Sequence, residues 1–184
     1  MSEPQTPLPA KLIASIIYRV GQDRENNIVH HVLDVLMRDF GPLDFRSMEL
    51  SFDRTTYYNR EMGDFLQRLF VSFQNLVGRE RLADIKLITN AVEHRLRDPQ
   101  GNRRVNIDPG LLSLENLVMA TGKNFTHRIY LGKGIFAEVT LIYQNRKFIV
   151  LPWTYPDYAA EETIAILNRI RHQLGVDLKT KNLS

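Results

Sequence analysis

The chain has 184 residues, 43% of them apolar and 24% charged, with no cysteine. That length suits one soluble domain burying roughly 70% of the surface its unfolded form exposes, and zero cysteine excludes disulfide scaffolds, thiolate zinc sites and cysteine nucleophiles. The net charge of +3 is a weak field for a polyanion partner. No apolar run approaches the ~20 residues of a membrane span, and MSEPQTPLPA lacks a signal-peptide pattern. The expectation is a cytoplasmic protein without a membrane partner.

In chain order, residues 1–10 carry three prolines and read as a loose tail, followed by a single α+β domain over 11–175. Lys11 to Arg19 is a short apolar run, read as a buried strand, and Gly21 to Arg24 punctuates it. Ile28, Val32, Leu33, Val35, Leu36 and Phe40 recur at helical spacing, with Asp23 as N-cap and Gly41-Pro42 as stop. Leu43 to Phe52 and Leu66 to Leu76 read as strands, separated by a polar, aromatic segment over 53–64. Ile85, Ile88, Val92 and Leu96 mark a second amphipathic helix, stopped before Pro99, and Arg104 to Asp108 reads as a strand. The order β-α-β-β-α-β predicts a ferredoxin-like core with a mainly antiparallel sheet.

Beyond that core, Ser113 caps a predicted short helix carrying Leu114, Leu117 and Val118. A C-terminal β-meander follows over 127–131, 135–143 and 146–151, then a final helix over 160–174 stopped by Gly175, with 176–184 as a polar tail. Opposing Leu131 to Ile135 across Gly132-Lys133-Gly134 sets Arg128 against Glu138, Ile129 against Ala137, Tyr130 against Phe136 and His127 against Val139. One face of the hairpin is then apolar, whereas a one-residue slip mixes the faces. The third strand joins through Gln144-Asn145, opposing Leu141 to Phe148 and Val139 to Val150.

Several blocks carry a resemblance: FDRTTYYNREMG (52–63), IKLITN (85–90), VNIDPG (105–110), HRIYLGKGIFAEVTLIY (127–143) and WTYPDY (153–158). Over residues 11–174 the chain resembles an uncharacterised bacterial family, domain of unknown function 4416. The resemblance implies no reaction. It implies that Tyr57, Tyr58, Glu61, Asn106, Asp108, His127, Arg128, Glu138, Trp153, Tyr155 and Asp157 lie in the family's motif blocks. Leu111 departs from it, standing where an aromatic that could wall a ligand is expected.

Known nucleotide and hydrolase signatures are missing. Gly122-Lys123 is followed by Asn124 and Gly132-Lys133 by Gly134, so there is no P-loop. There is no His-x-Ser/Thr pair and no Gly-x-Ser-x-Gly elbow. What stands out instead is polar. Asn106 and Asp108 alternate with Val105 and Ile107, so both face one way, and Arg128 opposes Glu138. If the strands share a sheet, these four and Thr140 line one surface, where two carboxylates and an arginine suit an anionic substrate and a divalent metal. Alternation points His127 to the apolar face, within reach of the site only from the strand's start.

The favoured reading is a pocket for a small anionic, phosphate- or nucleotide-type ligand. Asp108, His127 and Glu138 are its candidate catalytic groups. Asn106, Lys123 and Arg128 are its anion contacts, and Tyr57, Tyr58, Glu61, Trp153, Tyr155 and Asp157 complete its walls. The bland alternatives stay open: Arg128–Glu138 as a cross-strand pair, Asp108 as a turn former, and the aromatics as cover for a sheet edge. His30-His31 reads as a solvated helix edge. The alternative function is a non-catalytic module binding RNA or protein through the sheet face and the basic loop 95–104.

Overall fold

The computed structural model describes residues 3–20, 28–53 and 58–181. Asp23, the Gly21–Arg24 punctuation and Tyr57 lie outside the described residues. The elements are β1 (Ala10–Arg19), α1 (Ile28–Phe40), β2 (Leu43–Arg46), β3 (Leu50–Ser51), a one-turn α2 (Asn59–Met62), β4 (Leu66–Val77) and α3 (Leu82–Arg95). Then come β5 (Val105–Leu112), β6 (Asn116–Thr121), β7 (Arg128–Gly132), β8 (Ile135–Gln144), β9 (Lys147–Val150) and α4 (Glu161–Thr180).

All nine strands join one antiparallel sheet in the order β2-β4-β1-β5-β6-β8-β7, with β3 beside β4 and β9 beside β8. The fold is α+β. β1 is buried on both sides, and its alternation sorts the two cores. Leu12, Ala14, Ile16 and Tyr18 meet α1 and α3, together with Leu69, Val71 and Phe73 of β4 and Val105 and Ile107 of β5. Ile13 faces the other way, with Phe70, Leu112 and Leu117, and is covered by Leu167 and Ile170 of α4. The sheet is therefore a layer between two helical coverings, and the second face carries the polar residues described below.

Four differences from the sequence reading have physical causes. Residues 113–118 do not form a helix: Ser113 caps a tight turn, and Asn116–Thr121 becomes β6, drawn between β5 and β8. The last helix does not stop at Gly175 but runs to Thr180, because Leu178 is buried and Asp177 pairs with the fully buried Lys11, whose ammonium also meets Asp44. The predicted hairpin pairs 128/138, 129/137 and 130/136 are found, but a bulge places Gly132, not Leu131, opposite Ile135. In the β8–β9 hairpin, Asn145 and Arg146 (φ 52° and 62°) form a two-residue turn, so Leu141 faces Val150 and Tyr143 faces Phe148.

Candidate functional site

The second face carries two polar clusters. The central one starts from strand parity. Arg68 stands between Leu66 and Phe70 on the same face of β4, opposite Ile17 of β1. Ser15 of β1 has Phe70 and Asp108 as its cross-strand neighbours. Arg68 is 5% exposed and ion-paired with Asp157. Its guanidinium carbon lies 4.5 Å from the Phe52 ring centre, 5.2 Å from that of Tyr158 and 5.5 Å from that of Phe70. Nη1 is the Arg68 atom that meets Asp157, whereas Arg68 Nε, the Ser15 hydroxyl and the Tyr158 hydroxyl are buried without a hydrogen-bond partner. Burial first raises the pKa of the Tyr158 phenol, with Asp108 and Asp157 adding to it against the pull of Arg68 and, least, of the neighbouring Ser15 hydroxyl.

Beside these groups runs a connected chain of charge. Arg103 donates from Nε (3.0 Å) and Nη2 (2.8 Å) to Glu61 Oε2, from its backbone N–H to Glu61 Oε1 (3.1 Å), and from Nη1 to Asn106 Oδ1 (3.0 Å). Asn106 Nδ2 donates to Asp108 Oδ2 (2.6 Å), and Lys86 Nζ donates to Asp108 Oδ1 (3.2 Å). Lys86 also donates to the Ile107 carbonyl (2.9 Å), while Glu93 Oε1 accepts the Ile107 N–H (2.7 Å). β6 pairs with β5 only from Gly110 onward, so these α3 side chains satisfy the backbone that β6 leaves open. Tyr58 joins the two halves. Its phenol pKa is raised, first by burial and then by Asp108, against the pull of Arg103 and Arg68. A small cleft bounded by Leu50, Ser51, Phe52, Glu162 and Thr163 reaches Arg68 and Asp157.

The outer cluster sits at the β7–β8 end. Glu138, 3% exposed, accepts His127 Nε2 (2.9 Å) and Arg128 Nε (2.8 Å) on one carboxylate oxygen. Arg128 spends its other donors on the Lys123 carbonyl (3.0 Å) and the Tyr155 hydroxyl (3.3 Å). His127 stacks on Trp153 with ring centres 5.0 Å apart at 12°, and Trp153 Nε1 donates to the Val139 carbonyl (2.8 Å). His127 therefore does not point to the apolar face. It lies just before β7, where strand alternation does not bind it.

The structure divides the predicted site. Tyr58, Glu61, Asn106, Asp108 and Asp157 gather at the central cluster, and Lys123, His127, Arg128, Glu138, Trp153 and Tyr155 at the outer one. Met119 of β6 stands between them, opposite Gly110 on one side and Glu138 on the other. A Cβ on Gly110 would collide with the Met119 sulfur. By register Asn106, Asp108, Glu138 and Arg128 share one face of the sheet, with Met119 standing between the two pairs. Thr140 is the extra residue of a bulge, which resets the alternation of β8. Leu111 is buried in the α1–α3 core, on the opposite face from the site, so it is not a ligand wall. His30 and His31 are exposed, as read.

Sequence reasoning missed Ser15, Arg68, Lys86 and Glu93. Their signal was a charge in an apolar frame: Arg68 within the buried strand Leu66–Phe73, and Lys86 and Glu93 on the buried stripe of α3 that runs from Leu82 through Ile85 and Val92. No three His, Asp or Glu side chains among the described residues gather closely enough to hold a metal ion.

An α+β protein with one antiparallel sheet and two polar clusters under the Trp153–Tyr158 loop is what the fold and its sites define. The model of the family described as Domain of unknown function (DUF4416) matches residues 8–174, and the chain belongs to that family. No curated protein and no solved structure matches the chain.

Proposed function

We propose that the protein binds a small anionic molecule, of phosphate or phosphate-ester type, at the central cluster. The observation that carries this reading is Arg68: a buried guanidinium whose Nη1 is ion-paired with Asp157 but whose Nε has no hydrogen-bond partner, next to the unpartnered Ser15 and Tyr158 hydroxyls. Buried donors are almost always paired, and leaving one unpaired costs about 1–3 kcal/mol. An oxyanion offers acceptors to all three groups, and a planar fork suits its geometry. Asp108 and Tyr58 are the candidate proton-handling groups beside it, and Glu61, Asn106 and Lys86 hold Asp108 and Arg103 in place. The outer cluster positions the loop that carries Asp157 and Tyr158, so His127 and Glu138 act through structure rather than on the ligand. A metal is not needed by this reading.

The order β2-β4-β1-β5, with α1 and α3 on one face, supports a ferredoxin-like βαββαβ core extended by β6–β9 and α4. The alternative of an RNA- or protein-binding module has less support. α4 packs on the sheet face it needs, and Arg103 of the basic loop turns inward to Glu61 and Asn106.

Thermal shift against inorganic phosphate, sulfate and simple phosphate monoesters tests the proposal. A ligand at 100 times its Kd adds about 2.7 kcal/mol. The expected result is a rise in Tm that Arg68→Lys abolishes and Arg128→Lys leaves in place. No rise with any oxyanion, or a rise that survives Arg68→Lys, overturns it.

A further inference from the structure

We propose that the central cluster selects an oxyanion that carries a proton of its own, a phosphate or phosphate monoester rather than a sulfate, and that Asp157 is the residue that reads that proton. This rests on the anion reading of the same site. It adds a requirement that Arg68, Ser15 and Tyr158 alone would not impose.

The requirement comes from the acceptor beside the donors. Arg68 Nε and the Ser15 and Tyr158 hydroxyls are donors without acceptors. Asp157 is their complement. Its Oδ2 meets Arg68 Nη1, and its Oδ1 makes no hydrogen bond to a described residue. Arg68 and Asp157 line the same cleft, so an anion that reaches the guanidinium also meets a carboxylate. An ionised carboxylate can only accept, and two anionic oxygens repel unless a proton lies between them. The ligand oxygen nearest Asp157 therefore has to be a hydroxyl. Inorganic phosphate keeps a proton at neutral pH, and a phosphate monoester keeps one up to its second pKa of about 6. Sulfate has the same tetrahedral shape and no proton to give.

Charge balance points the same way. Asp157 already neutralises Arg68, Arg103 is committed to Glu61 and Asn106, and Lys86 to Asp108. Among the described residues the cleft adds the carboxylate of Glu162 and no further lysine or arginine. A hydrogen bond from P–O–H to Asp157 turns the nearest repulsive group into a charge-assisted partner. Nor can Asp157 readily swing aside for a sulfate. Its loop is tied down by Trp153 Nε1 donating to the Val139 carbonyl (2.8 Å), the Thr154 hydroxyl donating to the Thr140 carbonyl (2.6 Å) and the Tyr158 N–H donating to the Tyr155 carbonyl (2.9 Å).

Titration calorimetry of the full chain with inorganic phosphate and with sulfate, at neutral pH and equal ionic strength, tests this. The expected preference for phosphate is about a hundredfold or more, since a site built around a ligand hydroxyl rejects the analogue that lacks it. In Asp157→Asn the amide can donate where the carboxylate could only accept. That variant, with its circular dichroism unchanged, should gain sulfate binding and lose the preference. Glu162→Gln removes the other cleft carboxylate and should keep it. The wild-type comparison stands without any variant. Equal binding of the two ions overturns the proposal and leaves the anion site in place, whereas binding of neither overturns the anion site itself. A folded Asp157→Asn that still rejects sulfate, or a Glu162→Gln that accepts it, also overturns the proposal.

Discussion

Glu138 and Arg68 are both charged side chains buried on the same face of one sheet, and they differ in how their hydrogen-bonding capacity is used. Around Glu138 each guanidinium nitrogen of Arg128 has an acceptor, His127 is stacked and bonded, and Trp153 is tied to the Val139 carbonyl. Around Arg68, Nη1 has the Asp157 carboxylate, but Nε and two neighbouring hydroxyls have none. The outer cluster is closed and holds the molecule together. The central one carries unsatisfied donors that a ligand can use. Composition does not separate them, since each mixes arginine, carboxylate and aromatic rings. Only the count of unused donors does.

The closed cluster gives the largest expected effect. Glu138→Leu strands the Arg128 guanidinium, whose side chain is only 8% exposed, and breaking a buried pair on one side costs about 3–5 kcal/mol. Urea unfolding should show that loss in full. Phosphate binding, measured below the new Tm, should persist. A variant that folds normally but cannot bind phosphate would move the ligand site to the outer cluster.

Next in size is a pH effect at the edge of the central cluster. Burial is the main cause that raises the Glu93 carboxyl from 4.5 to about 7, against the pull of Lys86 and the Ile107 N–H. Between those two values the unfolded chain has released a proton that the folded chain keeps, so stability falls as pH rises through this window and is flat above it. At 1.36 kcal/mol per unit the span is about 3 kcal/mol. Glu93→Gln keeps an acceptor for the Ile107 N–H and removes the charge. Unfolding free energies from pH 4.5 to 8 should therefore lose their downward slope, with the variant more stable than the wild type at pH 8. Glu61 acts with the opposite sign. Hydrogen bonds from Arg103 hold its carboxyl below the ordinary range, so its contribution is lost as pH falls. Glu61→Gln should leave the slope above pH 4.5 unchanged and flatten the acid limb.

These residues also mark how far the sequence can be read. The hairpin pairs Arg128–Glu138 and Tyr130–Phe136 were legible, because alternation and a glycine turn fix register locally. So were Asn106 and Asp108 as companions on one face, since both lie on one strand. β6 was not legible: Leu117 and Val118 fit a helix or a strand, and the neighbours that decide are β5 and β8. The division of the site was not legible either. It depends on β6 entering between β5 and β8, which no local pattern in 105–110 or 127–138 encodes. Arg68 was visible as an oddity in an apolar strand, but its partners come from 157–158, some ninety residues on along the chain.

The smallest expected effect has an unusual sign. Ser15→Ala and Tyr158→Phe each delete a buried hydroxyl that bonds to nothing, and removing an unsatisfied group avoids a desolvation cost of about 1–3 kcal/mol. Each variant, free of ligand, should match or exceed the wild type by up to about 1 kcal/mol. Each should also bind phosphate more weakly, so added phosphate closes or reverses the gap in Tm. Stability gained with binding lost is the signature of a group kept for a ligand rather than for the fold. Loss of stability in both variants, with phosphate binding unchanged, would place these hydroxyls among the structural contacts and make the central cluster as closed as the outer one.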